Sequence, residues 1–157
     1  MTTALATSSA LLLDVFVPGA PKTKGSMDFQ PTGALCRCCS RCKGRLPGGR
    51  AVQNVKGSTE WAQLVAYAAR ADIGRRGGAA VAGEVTVALI FGLPVASAIA
   101  TRAGDLDKLE RNILDALKTG GAYADDVQVV RLLSDKFAVG PLGRKGVHIR
   151  VWAGRVR

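Results

Sequence analysis

A run of β-branched and aliphatic residues, EVTVALIFGL at positions 84–93, constrains the fold more than any other stretch of the chain. Residues of this kind favour extended backbone on a packed sheet surface, so the run predicts a strand. Its almost unbroken apolar character is typical of a strand in the middle of a sheet. The chain is therefore expected to fold around a sheet with this strand at its centre.

Two helices and three more strands are predicted around that strand. Apolar residues recur at helical spacing in STEWAQLVAYAARADI, where Ser58 is a candidate N-cap, and again after Asp105. Further strands are predicted at 11–17, 127–139 and 146–153. We interpret the last two as antiparallel strands joined by a basic turn that contains Arg144 and Lys145. The order β-α-β-α-β-β indicates a single α+β domain over residues 1–157, with helices packed on a small mixed sheet.

The segment 30–57 is rich in Cys, Arg and Gly and shows no usable periodicity, so it is predicted to be an irregular insertion. It contains all four cysteines: Cys36, Cys38, Cys39 and Cys42. In a reducing compartment such dense thiols suggest zinc more than disulfides, although structural zinc usually takes two separated pairs. Two interpretations stay open, namely a Zn²⁺ site completed by a ligand from elsewhere and a cluster of free thiols.

The charge balance points to a polyanionic partner. The formal net charge is +10 and the pI is near 10, which favours nucleic acid. Residues 22–56 hold eight Lys or Arg and one acid, Asp28, so this segment is expected to face DNA. The predicted DNA contacts are Lys22, Lys24, Arg41, Lys43, Arg144 and Lys145. An aromatic content of 5% argues against a single-strand binder, so the cations are expected to hold phosphates rather than bases.

No apolar run approaches the roughly 20 residues that span a bilayer. SALLLDVFVPGA lacks a preceding basic residue and is interrupted by Asp14, which argues against a signal peptide. The protein is therefore expected to be cytoplasmic.

Against this basic background, seven of the 12 acidic residues lie between Asp105 and Asp135. Asp105 stands where a helix N-cap should be and Asp107 lies two residues further, so both have a structural interpretation. ADD at 124–126 does not. If the strand that follows lies beside the helix, Asp125 or Asp126 can return to the start of that helix. Converging carboxylates suit Mg²⁺ or Mn²⁺, and such a site in a basic protein fits phosphodiester hydrolysis. The alternative is a solvated acidic patch.

Asp107, Arg111 and Asp115 recur every four residues along one line of the same helix. They are interpreted either as a line of surface ion pairs or as a functional arrangement, in which Arg111 is a cation at the edge of the metal site and holds an aspartate or a phosphate oxygen. His148, the only histidine, is expected to be an exposed strand residue rather than a catalytic base.

The stretch GDLDKLERNILDALKTGGAYADDVQV (104–129) resembles the RusA family of Holliday junction resolvases. D-L-D opens a helix, D-A-L closes it, and a Gly/aromatic turn leads to D-D-x-Q-V. The resemblance implies that Asp105, Asp107 and Asp126 are catalytic metal ligands, with Asp125 as an acidic neighbour. Arg111 stands where the family usually has a catalytic lysine, and Lys108 where an asparagine is common.

The same resemblance implies a homodimeric, Mg²⁺-dependent hydrolase of four-way DNA junctions, acting in recombination and repair and often encoded by phage. Mn²⁺ is expected to substitute for Mg²⁺. Two alternatives stay open: a nuclease for other branched DNA such as forks and flaps, and a non-catalytic basic DNA-binding protein with a zinc module.

Overall fold

The computed structural model describes residues 10–24, 27–31, 49–53, 55–78, 81–95 and 105–156. Within these ranges the elements run β1 (Leu11–Pro18), β2 (Met27–Pro31), β3 (Gly49–Gln53), α1 (Ser58–Arg75), β4 (Val85–Pro94), α2 (Leu106–Gly120), β5 (Val129–Val139) and β6 (Gly146–Ala153). A short 3-10 turn, Asp126–Gln128, precedes β5. The predicted α+β class, with helices on a mixed sheet, is confirmed.

Strand β4 lies inside a four-stranded sheet of order β1-β6-β4-β5. It pairs antiparallel with β6 and parallel with β5, and β6 in turn pairs antiparallel with β1. The apolar run at 84–93 therefore has a hydrogen-bonded neighbour on each side, as its composition predicts. A parallel pair needs a crossover connection, and α2 lies in the connection between β4 and β5.

Strands β5 and β6 do not form the hairpin that their closeness in sequence suggests. They run in opposite directions, but β4 lies between them, so each pairs with β4 rather than with the other. The basic turn with Arg144 and Lys145 consequently passes over the end of β4 instead of closing a two-stranded loop. Because β5 runs parallel to β4, the connection through α2 must return to the end of the sheet at which β4 begins.

One face of the sheet carries the hydrophobic core. Alternate residues of β4, such as Val87, Leu89 and Phe91, are buried in one cluster with residues of both helices. The two helices pack closely at Gly120, because a Cβ there would lie 2.8 Å from the backbone oxygen of Ala66. The opposite face of the sheet carries partly exposed side chains.

The ends of the two helices differ in detail from the prediction. Gly57, in a left-handed conformation, is the N-cap of α1, and Ser58 is the first residue of the helix rather than its cap. Asp105 is the N-cap residue of α2 as predicted, but its side chain makes no capping hydrogen bond. Its carboxylate is therefore available to another partner.

The segment predicted to be irregular has regular structure at both ends. Strands β2 and β3 form an antiparallel pair from Met27 opposite Gln53 to Pro31 opposite Gly49. The two ends of the insertion therefore form a two-stranded antiparallel ribbon. Cys36, Cys38, Cys39 and Cys42, together with Arg41 and Lys43, lie outside the described residues.

Candidate active site at the two ends of helix α2

At the start of α2 a lysine ammonium is bonded to the first of the two predicted carboxylates. The ammonium of Lys108 donates a hydrogen bond of 2.7 Å to Asp105, and both side chains are 44% exposed. This hydrogen bond and the charge of Lys108 lower the pKa of Asp105, with a further contribution from Lys136 on β5. The same contact raises the pKa of Lys108, and the charge of Asp107 adds to that rise. The predicted pair therefore forms a site that already attracts positive charge.

Asp107 and Arg111 are both exposed on α2. Within the described ranges neither joins the predicted line of ion pairs, since Asp115 is bonded instead to Lys24. Arg111 therefore stands one turn after Asp107 as an exposed residue. This arrangement is compatible with the functional interpretation and gives no support to the surface ladder.

The loop after β1 lies along α2 and brings two predicted DNA contacts to it. Lys24 bonds to Asp115 through its ammonium, and its backbone N–H donates to the carbonyl of Lys108 at 3.0 Å. Asn112, which is buried, donates to the carbonyl of Lys22 at 2.8 Å. Sequence reasoning missed Asn112. The available signal was an amide on the apolar stripe of an amphipathic helix, because a buried amide needs a partner.

Asp125 lies at the other end of α2. Its carboxylate accepts a hydrogen bond of 3.2 Å from Lys118, in the last turn of the helix, and this bond is the main reason its pKa is lowered. Asp125 also caps the 3-10 turn, in which the Gln128 side chain accepts from the backbone N–H of Ala124 and Asp125. The amide nitrogen of Gln128 donates to the carbonyls of Val81 and Gly83. The D-D-x-Q motif is thus a firmly anchored turn.

Asp126 is exposed beside a buried tyrosine. The Tyr123 hydroxyl donates to the carbonyl of Leu114 at 3.0 Å. Burial raises the pKa of Tyr123 far above its usual range, and the negative charges of Asp126 and Asp115 raise it further. Asp126 is therefore an electrostatic neighbour of the third turn of α2 rather than of its first residue.

Ideal helix and strand geometry gives two lengths that bear on the separation of Asp107 from Asp126. Leu114 lies seven residues beyond Asp107, about 10 Å along the helix axis. Lys136, the β5 residue whose charge acts on Asp105, lies seven residues beyond the first residue of β5, about 23 Å along the strand, whereas Asp126 precedes that strand. Carboxylates that share Mg²⁺ must each bring an oxygen within about 2.1 Å of it.

Over the described residues, Asp125 bonds to Lys118 in the last turn of α2, and neither Asp125 nor Asp126 is bonded to Asp105 or Asp107. Over the described ranges, no group of three or more Asp, Glu, His or Cys side chains is arranged to hold a metal ion. The assignment of Asp105, Asp107 and Asp126 as metal ligands stays a prediction.

The remaining predicted residues lie on the opposite face of the sheet or at its end. The Arg144 guanidinium is 4.5 Å from the centre of the Phe16 ring, and Lys145 is exposed. His148 is only partly exposed, because its Nε2 lies 2.5 Å from a carboxylate oxygen of Asp14. Partial burial alone would raise the pKa of Asp14, but the hydrogen bond with His148 and the charge of Arg150 lower it on balance.

The family model described as Endodeoxyribonuclease RusA matches residues 29–151, which include every acidic residue discussed at the two ends of α2. The chain belongs to the RusA endodeoxyribonuclease family. Membership implies a Holliday junction resolving endonuclease that binds branched DNA. No curated protein matches the chain. No helix in the described part of this RusA-family chain is long and apolar enough to cross a membrane.

Proposed function

We propose that this RusA-family protein is a Mg²⁺-dependent endonuclease that resolves Holliday junctions during recombination and repair by hydrolysing phosphodiester bonds. The observation that carries the proposal is the start of α2, where Asp105 and Asp107 attract an ammonium to an exposed position in a chain with a net charge of +10. A basic surface draws in the DNA, and this acidic pair can approach a phosphate only with a cation between them.

The donor set fits a hard divalent cation. Asp105 and Asp107 offer exposed carboxylate oxygens, which Mg²⁺ and Mn²⁺ prefer, and the Lys108 ammonium on Asp105 is a stand-in for such a cation. The chemistry that Mg²⁺ supplies when bound to such carboxylates is activation of a water and shielding of charge on the phosphate under attack.

We further propose that the third ligand comes from a second copy. Asp105 and Asp107 lie at one end of α2, and Asp126 lies toward the other. In a two-fold symmetric dimer, each copy can offer its Asp126 to the helix start of the other, which gives two identical sites. Two equivalent strands of a four-way junction suit such a pair of sites. Asp125, bonded to Lys118, would keep the turn that carries Asp126 in place.

Cations beside the helix start would hold the phosphates. Arg111 projects one turn beyond Asp107, and a guanidinium at that distance suits contact with a phosphate oxygen rather than proton transfer. Lys22 is exposed on the loop that Asn112 anchors to α2. These residues would position the strand so that the scissile phosphate faces Asp107.

The test is cleavage of labelled DNA by the purified full-length chain. A four-way junction, a flap, a fork and a linear duplex are each incubated with Mg²⁺ or with EDTA. We expect paired cuts in the junction with Mg²⁺ and none with EDTA. Preferential cutting of the fork or flap would move the assignment to other branched DNA. Junction binding without cutting under any divalent metal would contradict the hydrolytic function and favour a DNA-binding protein.

A further inference from the structure

The face of the sheet opposite the core contains a groove of about 430 Å³. Its walls are mainly apolar and come from four parts of the chain: Phe16 on β1, Ile90 on β4, Phe137 and Val139 on β5, and Arg144 and His148 around and on β6. We call this the sheet groove. Gly92 forms part of its floor, where a Cβ would lie 3.0 Å from the backbone oxygen of Arg144. The absence of a side chain there lets the backbone of Arg144 pack closely against β4.

Two large apolar side chains in the groove meet solvent. Phe137 is 51% exposed and Ile90 is 40% exposed, although both belong to well-paired strands. Exposed aromatic and aliphatic surface that lines a concavity is a common mark of a binding site. The space fits a flat apolar group that can lie against an aromatic ring.

One cation, Arg144, lies at the rim of the groove, and Asp14 pairs with the two other basic side chains nearby, His148 and Arg150. The Arg144 guanidinium lies over the Phe16 ring at 4.5 Å, which holds both groups in place. His148 is fixed by Asp14, and Arg150 lies 3.5 Å from the second oxygen of the same carboxylate. An apolar floor with a cation at its rim is complementary to a nucleobase attached to a phosphate. A second copy of this chain fits less well, because a two-fold interface would set the cation of one rim against that of the other.

The groove lies across β5 from the start of α2. Lys136 acts on Asp105, whereas Phe137, the next residue of the strand, lines the groove on the other face. Because β5 is an edge strand of the described sheet, no further strand of that sheet separates the two positions. A DNA strand with one phosphate at Asp105 and Asp107 can therefore bend round the edge and bring a neighbouring base to Phe137.

We propose that the sheet groove binds one unstacked base of the junction, close in sequence to the phosphate that is cut. Phe137 supplies the exposed aromatic surface, Phe16 supports the Arg144 guanidinium, and Arg144 holds the phosphate of that nucleotide. This inference rests on the proposed function, because it takes branched DNA as the substrate. A four-way junction has weakly constrained bases at its crossover, so the cost of removing one base from the stack is lowest there.

The experiment uses the full-length chain and a synthetic four-way junction that carries 2-aminopurine at one position near the crossover. Positions are tested one at a time in EDTA, so that no strand is cut. Fluorescence of this base analogue rises when it leaves the stack, and we expect a rise at one position on each symmetry-related strand. Phe137→Ala should abolish the rise and weaken junction binding roughly tenfold. Phe137→Leu, which keeps an apolar side chain without a π-face, should lose most of the rise as well.

Leu142→Ala is the matched control, because Leu142 is fully exposed on the turn beside the groove and does not line it. It should behave as wild type. A wild-type protein that binds and cuts the junction without any fluorescence rise, or a Phe137→Ala variant that keeps the rise, would overturn the inference alone. A change of dimer mass in Phe137→Ala, measured by sedimentation, would also overturn it by assigning the groove to a second copy. A wild-type protein that binds no junction would instead refute the proposed function.

Discussion

Asp72 near the end of α1 and the pair Asp105 and Asp107 at the start of α2 are acidic groups with opposite surroundings. The Asp72 side chain is 7% exposed, and it accepts hydrogen bonds from the backbone of Asp14, from Arg75 and from Arg76. The Asp105 side chain is 44% exposed, and within the described chain it has one hydrogen-bonding partner, the ammonium of Lys108. A carboxylate whose oxygens are occupied by fixed donors stabilises the fold, whereas one with a single exchangeable partner can accept a cation from solution.

The pKa of Asp72 follows from the same difference. Burial by itself would raise the pKa, but the Asp14 backbone N–H and the two arginines lower it on balance. Asp72 therefore ties α1 to β1 as an ion. Among the residues that the structure describes, the acidic pair on α2 makes no hydrogen bond of this kind to another element, so the two groups should respond in opposite ways to substitution.

The largest expected effect is on cutting. Asp107→Asn or Asp126→Asn should reduce junction cleavage about 100-fold or more, because a neutral amide is a poor ligand for Mg²⁺. Thermal unfolding and junction binding should stay close to wild type. Glu60→Gln, an exposed change on α1, is the control and should cut normally. Near wild-type cutting by either aspartate variant would remove that residue from the site.

The next effect is on stability. Asp72→Ala should lower the free energy of unfolding by about 2–3 kcal/mol, because it leaves the Asp14 backbone N–H unsatisfied and removes charge-assisted hydrogen bonds. Urea unfolding measures this loss. At a temperature where the variant is folded, its cutting rate should match wild type. A loss of cutting in the folded variant would contradict the claim that Asp72 serves stability while Asp105 and Asp107 serve cutting.

Low pH should also weaken the hydrogen bonds by which Asp72 connects α1 to β1. The pKa values of Asp72 and Asp14 are lowered in the folded protein, so their stabilisation is fully present above the unfolded value of about 3.9 and is lost as pH falls through the folded values. Wild type should therefore lose more stability than Asp72→Ala as the pH falls below about 4. Urea midpoints at several pH values measure this, and equal losses in the two proteins would contradict it.

The smallest effect concerns Lys108. If its ammonium stands in for a metal ion, Lys108→Asn should tighten Mn²⁺ binding by about threefold, because a competing exposed ion pair is removed. Electron paramagnetic resonance of free Mn²⁺ measures binding without reference to activity. Lys56→Asn, a matched change at an exposed lysine before α1, should leave Mn²⁺ binding nearly unchanged. Weaker Mn²⁺ binding in Lys108→Asn would show that the lysine supports the site.

Local pattern was sufficient for most elements. The predicted strands at 11–17 and 146–153 and the helix that opens at Asp105 agree with β1, β6 and α2. The alternation of a strand and the spacing of a helix involve residues that are close together in the chain, so both patterns can be recognised in a single sequence. The strand predicted at 127–139 begins two residues later, at Val129, because residues 127 and 128 belong to the 3-10 turn that Gln128 anchors.

Strand pairing could not be predicted in the same way, and the candidate site depended on it. The closeness of β5 and β6 in sequence favours a hairpin between them. The apolar strand β4 instead needs a neighbour on both sides, and it pairs with β5 on one side and with β6 on the other. Once β5 is parallel to β4, the crossover through α2 must end where β5 begins. Asp126 therefore lies toward the end of α2, whereas Asp105 lies at its start. This arrangement follows from the strand topology and cannot be deduced from the spacing of the residues.

The central claim is that the carboxylates at the two ends of α2 meet in one metal site contributed by two copies. Mixing Asp107→Asn with Asp126→Asn, and allowing subunits to exchange, tests it most directly. In the mixed dimer one site carries both changes and the other carries neither, so an equal mixture should recover about a quarter of the wild-type sites and nick single junction strands. If the mixture stays as inactive as either variant alone while mixed dimers form, the carboxylates do not meet between copies and the claim is contradicted.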